Sequence, residues 1–311
     1  MPEAARPFTI HTDDRVALSG EESGPPPDTH VGAEGADAEG TGAAAGAGGG
    51  PKGPKATVVL AHGLTATRRY VLMGSTVLQR AGHRVIAYDA RGHGRSAPAA
   101  DPRDYGYERL ARDLHALLEG RGVRRAVLVG ASMGAHTAVR YALERPERVA
   151  ALAIVTPAFD VKPNPFARAA ELERWDALAR GLREHGVEGF LAAYDLAALP
   201  DSLRATVETV LRQRLAAHER PLAVADALEA VPRSRPFDRV QQLGEIRVPT
   251  IVVASRDEAD PGHPLAVAER YAHAIPGARL LVEEPGHSPL AWQGGQLSRA
   301  VAELAASAAR G

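Results

Sequence analysis

Unbroken apolar runs alternate with amphipathic stretches along most of this chain. Ala56–Ala61 (ATVVLA) carries almost no polar side chain, the pattern of a strand covered on both faces. Arg84–Tyr88, Ala126–Val129, Val149–Val155, Thr250–Ala254 and Arg279–Val282 repeat it. Between them the spacing is helical: Tyr107–Glu119 sets Leu110, Leu114, Leu117 and Leu118 on one face. Arg68–Arg80 reads as a helix closed by Gly82, and Ala135–Leu143 as one stopped by Pro146. Pro264–Ile275 and Gln296–Ala309 predict two more helices. Near the start, Thr9–His11 and Arg15–Leu18 flank Asp13-Asp14 and predict a hairpin. Such alternation predicts an α/β fold, a parallel sheet with helices on both faces, in one domain spanning 1–311.

Two stretches break the rhythm. Residues 24–54 are built from Gly, Ala, Pro and a few acids. They have too little apolar surface to offset the entropy of ordering, which predicts a disordered low-complexity insertion. From 159 to 243 helical spacing recurs without a convincing strand, with Leu172 and Trp175, Phe190, Leu191 and Tyr194, and Leu203, Val207 and Leu211 as apolar faces. A helical excursion there predicts a cap or lid over one end of the sheet.

Composition narrows the function. A net charge of −1 gives no electrostatic case for nucleic acid or an anionic membrane as partner. With no cysteine, thiolate catalysis, disulfides and Cys-ligated metals are excluded. The opening MPEAARPFTI lacks a signal-peptide core and no apolar run reaches membrane-spanning length, so a cytoplasmic location is the expectation.

Gly130-Ala131-Ser132-Met133-Gly134 lies between the apolar run AVLV and a helix. This is G-x-S-x-G in strand–turn–helix context, where a sharp turn lifts a serine hydroxyl above the sheet edge. Only small residues fit two positions before and after that serine. Ser132 is therefore the candidate nucleophile, and it needs a base. His287, in Glu284-Pro285-Gly286-His287, follows the last strand through a Pro-Gly turn and is the expected base. His263 is its rival, ranked lower because it sits on the preceding loop, where the acid is expected. Asp257 comes soonest after the strand Thr250–Ala254 and is the expected acid, with Asp260 and then Glu258 behind it. The N–H groups of Met133 and Leu64 are the candidate oxyanion donors, Leu64 because His62-Gly63-Leu64 directly follows TVVLA. Asp89–Ser96 (DARGHGRS) lacks the Lys-Ser/Thr of a phosphate loop and the third glycine of a dinucleotide fingerprint. It reads as a structural turn with Asp89 or Arg91 tied into loop hydrogen bonds.

Taken together, His62-Gly63, Asp89–Ser96, Gly130–Gly134, Asp257 and Gly286-His287 resemble, in order, the motifs of the α/β-hydrolase superfamily. The chain is similar to its bacterial carboxylesterases, monoacylglycerol lipases, enol-lactonases and carbon–carbon bond hydrolases. The resemblance implies an eight-stranded, mostly parallel sheet, a helical cap before the acid-bearing strand, and no cofactor. It implies an acyl-enzyme on Ser132, with a small-molecule acyl substrate and water as partners. An acyltransferase or cofactor-free perhydrolase with the same triad, or a non-catalytic ligand receptor, stays open as an alternative.

Overall fold

The computed structural model describes residues 4–25, 55–161, 165–256 and 260–308. Most of the low-complexity stretch, residues 26–54, lies outside them, as do Asp257 and Glu258. The strands are β1 (Arg6–His11), β2 (Ala17–Ser23), β3 (Thr57–Ala61), β4 (Arg84–Tyr88), β5 (Ala126–Ala131), β6 (Val149–Val155), β7 (Thr250–Ala254) and β8 (Arg279–Val282). They form an eight-stranded sheet in the order β1-β2-β4-β3-β5-β6-β7-β8. β1 and β2 pair antiparallel, β2 joins β4 antiparallel, and every other pairing is parallel.

The two-residue period of a strand divides the core. Val59, Ala61, Ile86, Leu128, Leu152, Ile154 and Val252 face one side. There they pack on α2 (Tyr107–Gly120), α3 (Met133–Glu144) and α7 (Leu265–Ala274). Val58, Leu60, Val85, Val127, Val129, Ala153 and Val253 face the other side, against α1 (Val77–Arg80) and α8 (Gly294–Ala308). Burial on both faces explains why these strands read as continuous apolar runs.

One predicted helix does not form as such. Arg68–Arg80 is a single 3₁₀ turn at Arg68–Tyr70, an irregular stretch, and then the one-turn α1. Met73 and Gly74 both take positive φ, 49° and 74°, and a helix cannot pass through two left-handed residues.

Between β6 and β7 the chain is helical: α4 (Pro165–Ala193), α5 (Asp201–Ala216) and α6 (Pro221–Arg233). α4 is two helices joined at Gly186, where φ is 62°. Its halves fold back so closely that a Cβ on Gly181 would lie 2.3 Å from the Gly189 carbonyl oxygen. Leu182, Phe190, Leu211, Leu215, Val224 and Leu228 of these helices form a third core with Leu64, Ala90 and Met133. The helical segment thus packs on the loops at the C-terminal ends of β3, β4 and β5, where open α/β sheets bind ligands. Among the described residues no helix is long and apolar enough to cross a membrane.

Candidate active site

β5 passes into α3 through Ser132, whose φ of 49° and ψ of −112° lie where non-glycine residues rarely go. The flanking glycines permit the turn. A Cβ on Gly130 would sit 2.2 Å from the Gly134 oxygen, and one on Gly134 would sit 2.1 Å from the Ala61 oxygen. The Ser132 N–H donates to Val155 O at 2.9 Å and its carbonyl accepts from the His136 N–H at 3.1 Å, so the surrounding backbone holds the strained residue.

The Ser132 hydroxyl meets His263. Oγ lies 2.9 Å from Nε2, and the opposite ring nitrogen, Nδ1, lies 2.9 and 3.0 Å from the two carboxylate oxygens of Asp260. Asp260-Pro261-Gly262-His263 is a single turn between β7 and α7, closed by the His263 N–H donating to Asp260 O at 3.0 Å. A three-residue separation across that turn brings acid and imidazole face to face. Burial disfavours the charged ring, but the Asp260 charge and hydrogen bond outweigh it and raise the His263 pKa. Burial likewise opposes ionisation of Asp260, and His263 and Arg214 overcome it, so its carboxyl is held below the ordinary range.

The structure brings His263, and not the expected His287, to Ser132. His287 lies on an exposed turn after β8, and its ring makes no hydrogen bond among the described residues. β8 is the edge strand, whereas β7 stands two places from β5, so the β7 loop has the shorter reach to Ser132. The chain after β8 is held elsewhere: the buried Glu283 carboxylate accepts from the N–H groups of Arg256 (2.6 Å) and Leu290 (3.4 Å). Asp257, the expected acid, lies outside the described residues, and Asp260 is the carboxylate on His263. The signal available in the sequence was the Asp-x-x-His spacing itself.

Leu64 and Met133, the residues expected to supply oxyanion donors, lie beside Ser132. Leu64, Met133 and Ser132 line one cleft. Among the described residues no acceptor takes the Leu64 N–H. Its peptide is oriented by His62, whose Nδ1–H donates to Gly63 O at 2.8 Å while Nε2 accepts from the Ala90 N–H at 2.9 Å. In a trans peptide the N–H points away from the C=O, so anchoring Gly63 O aims the Leu64 N–H. Burial and the neighbouring His93 keep His62 neutral.

The cleft holds about 60 Å³ and is completed by Tyr107, His136, Phe159, Trp175, Val231 and the Arg168–Glu171 pair, among others. His136 is a structural part of its wall: Nε2 accepts from the Ala158 and Phe159 N–H groups, both at 3.1 Å, leaving Nδ1 to donate to the Tyr107 hydroxyl. Burial pushes its pKa down to about 3. The Asp89–Ser96 turn is tied as anticipated. Asp89 accepts from the N–H groups of Arg68 and Arg95, and the fully enclosed Arg91 forks onto Asp113 (2.6 and 2.7 Å) and Asp14. Among the described residues no group of three or more His, Cys, Asp or Glu could hold a metal.

Known proteins share this frame. The family profile of the alpha/beta hydrolase fold matches residues 56–293, and the chain belongs to that superfamily. Among curated relatives, the "Putative carbamate hydrolase RutD" of Pseudomonas savastanoi pv. phaseolicola is 30% identical over 74% of this chain and 86% of its own. The 2-hydroxy-6-oxononadienedioate/2-hydroxy-6-oxononatrienedioate hydrolase of Cupriavidus pinatubonensis is 31% identical over 65% and 69%. Among solved structures, a thermophilic esterase from Thermogutta terrifontis superposes with a TM-score of 0.72 at 24% identity, covering 98% of this chain and 99% of that one. The enol-lactonase of Burkholderia xenovorans LB400 gives 0.68 at 21% identity, over 98% and 100%. At these identities the structural likeness speaks to the fold.

Proposed function

We propose that the protein is a serine hydrolase of small carboxylic esters or related acyl bonds, working through an acyl-enzyme on Ser132. The observation that carries this reading is the unbroken chain Ser132 Oγ–His263 Nε2, His263 Nδ1–Asp260, beside two N–H groups suited to an oxyanion. Ser132 Oγ attacks the acyl carbon and gives its proton to His263 Nε2. Asp260 holds the tautomer and stabilises the imidazolium. The Leu64 and Met133 N–H groups receive the oxyanion. Collapse expels the leaving group with the proton from His263, and water repeats the sequence to free the acid.

The helices of 159–243 act as a cap in this reading, because α4 and α6 supply Arg168, Glu171, Trp175, Val231 and Pro232 to the cleft. A cleft of about 60 Å³ fits a short acyl group, far below the ~300 Å³ or more of drug-sized sites. The relatives named carbamate hydrolases make a carbamate the second acyl class to consider, since it presents the same carbonyl to the same serine.

The test is a panel of 4-nitrophenyl esters of rising chain length, together with a 4-nitrophenyl carbamate. Activity should be greatest on the shortest acyl groups and absent in Ser132→Ala, and a fluorophosphonate should label Ser132. Full labelling or turnover in Ser132→Ala would overturn the assignment.

A further inference from the structure

Arg214, near the end of α5, carries a charge with no carboxylate in direct contact among the described residues. Nη2 donates to the Thr65 hydroxyl at 2.9 Å, its one hydrogen bond among the described residues. Nε is enclosed and pairs with nothing among the described residues, and no carboxylate lies within ion-pair distance. Asp260 is the carboxylate whose charge reaches it, but both Asp260 oxygens are turned to His263 Nδ1. The side chain is half-buried with its Nε enclosed, and a lone hydrogen bond to a threonine does not require a guanidinium. A buried donor left over in this way calls for a missing acceptor.

The arginine also stands beside the nucleophile. Arg214 Nη2 lies 3.9 Å, and Ser132 Cβ 3.5 Å, from the point that a Cβ on Gly63 would occupy. It is not among the residues that line the cleft of Leu64, Ser132 and Met133. The Tyr70 ring lies under it, with Cζ 5.8 Å from the ring centroid, and Tyr194 is close enough to share its field.

We propose that Arg214 binds a carboxylate carried by the substrate, so that the preferred substrates are anionic: acyl compounds with a free carboxylate at a short distance from the scissile carbonyl. The guanidinium fork matches a carboxylate, and the incoming anion would satisfy Nε and balance the charge. The proposal rests on Ser132 marking the reacting centre, as argued above.

The binding test does not depend on turnover. Monomethyl succinate and its neutral counterpart dimethyl succinate are titrated calorimetrically into Ser132→Ala and into Ser132→Ala/Arg214→Gln. The monoanion should bind about 10- to 100-fold more tightly than the diester to the first protein, and the second should lose that difference. Arg214→Lys, which keeps the charge without the fork, should fall between. Equal affinity for the two ligands, or a preference that survives Arg214→Gln, would overturn the proposal. In kinetics, the ratio of kcat/KM for 4-nitrophenyl hemisuccinate over 4-nitrophenyl butyrate should fall by the same factor in Arg214→Gln. Thr65→Val, which cuts the tie to the loop but leaves the cation, should keep the ratio high; a merely structural arginine would lower both rates alike and leave the ratio unmoved. If neither ester is turned over while the binding preference holds, the catalytic reading fails and what remains is a carboxylate-binding site at Arg214.

Discussion

Ser132 and His263 are 131 residues apart in the chain and 2.9 Å apart in space, Oγ to Nε2. His263 and Asp260, by contrast, are neighbours on one turn. The imidazole therefore receives its orientation locally and its reaction partner through the whole sheet.

That contact separates two histidines experimentally. His263→Ala should cost about 10⁶ in kcat, as should Ser132→Ala, because members of a triad act as a unit. His287→Ala should stay within about twofold of the wild type, in keeping with an exposed loop side chain. Steady-state kinetics on a short 4-nitrophenyl ester decides between them; a dead His287→Ala beside an active His263→Ala would return the base to the β8 loop.

The pH profile follows from the direction of the His263 shift. Only the neutral ring can accept the serine proton, and Asp260 raises its pKa above the ordinary 6.5. For a neutral ester, kcat/KM should fall on the acid side by about one decade per pH unit, with the midpoint above that value. Stability runs the other way. A raised folded-state pKa means that the protonated ring stabilises the fold fully below the unfolded value, and that this contribution is lost as pH rises through the folded one. The Tm gap between wild type and His263→Ala should thus narrow across the same interval in which activity appears.

Asp260→Asn should lower kcat by about 10⁴ and move the acid limb downward, because the negative partner of the imidazolium is gone. A rate–pH profile of the variant measures both. Loss of rate with an unmoved limb would mean that another carboxylate sets the His263 pKa.

The elbow makes a prediction about folding. A Cβ at position 134 would meet the Ala61 carbonyl, a backbone group that cannot swing aside. Gly134→Ala should cost about 3 kcal/mol or more, or leave no folded protein. Chemical denaturation would report it, and a wild-type midpoint would show that the turn has slack.

Arg91 offers a test away from the chemistry. It is fully enclosed against Asp113, itself buried, so Arg91→Gln strands a carboxylate in the core. The expected loss is about 3–5 kcal/mol by urea titration. Arg91→Leu/Asp113→Leu should recover part of it, because no charge is then left without its partner.

Local pattern carried the strands and the turn at Ser132. β4, β6, β7 and β8 end where the apolar runs end, and in β4, β6 and β7 those runs are apolar because nearly every position is buried. Ser132 was legible because an elbow is a local event: strand, three small residues and helix are contiguous. The Arg68–Arg80 helix was misread for the complementary reason. Its apolar spacing is helical, but Met73 and Gly74 adopt left-handed backbone in a loop that presses on Gly294, a contact with the far end of the chain. The histidine that meets Ser132 was decided the same way. Both His263 and His287 follow a late strand on a Pro-Gly turn, so their sequence contexts are nearly equivalent. Which ring meets Ser132 depends on where β7 and β8 stand in the sheet and how their loops fold back, and strand order is a property of long-range pairing that no local spacing encodes. Arg214 is the extreme case. On paper it is one arginine among many on a helix, and only packing α5 onto the Thr65 loop encloses its Nε without an acceptor among the described residues and sets the guanidinium near Ser132.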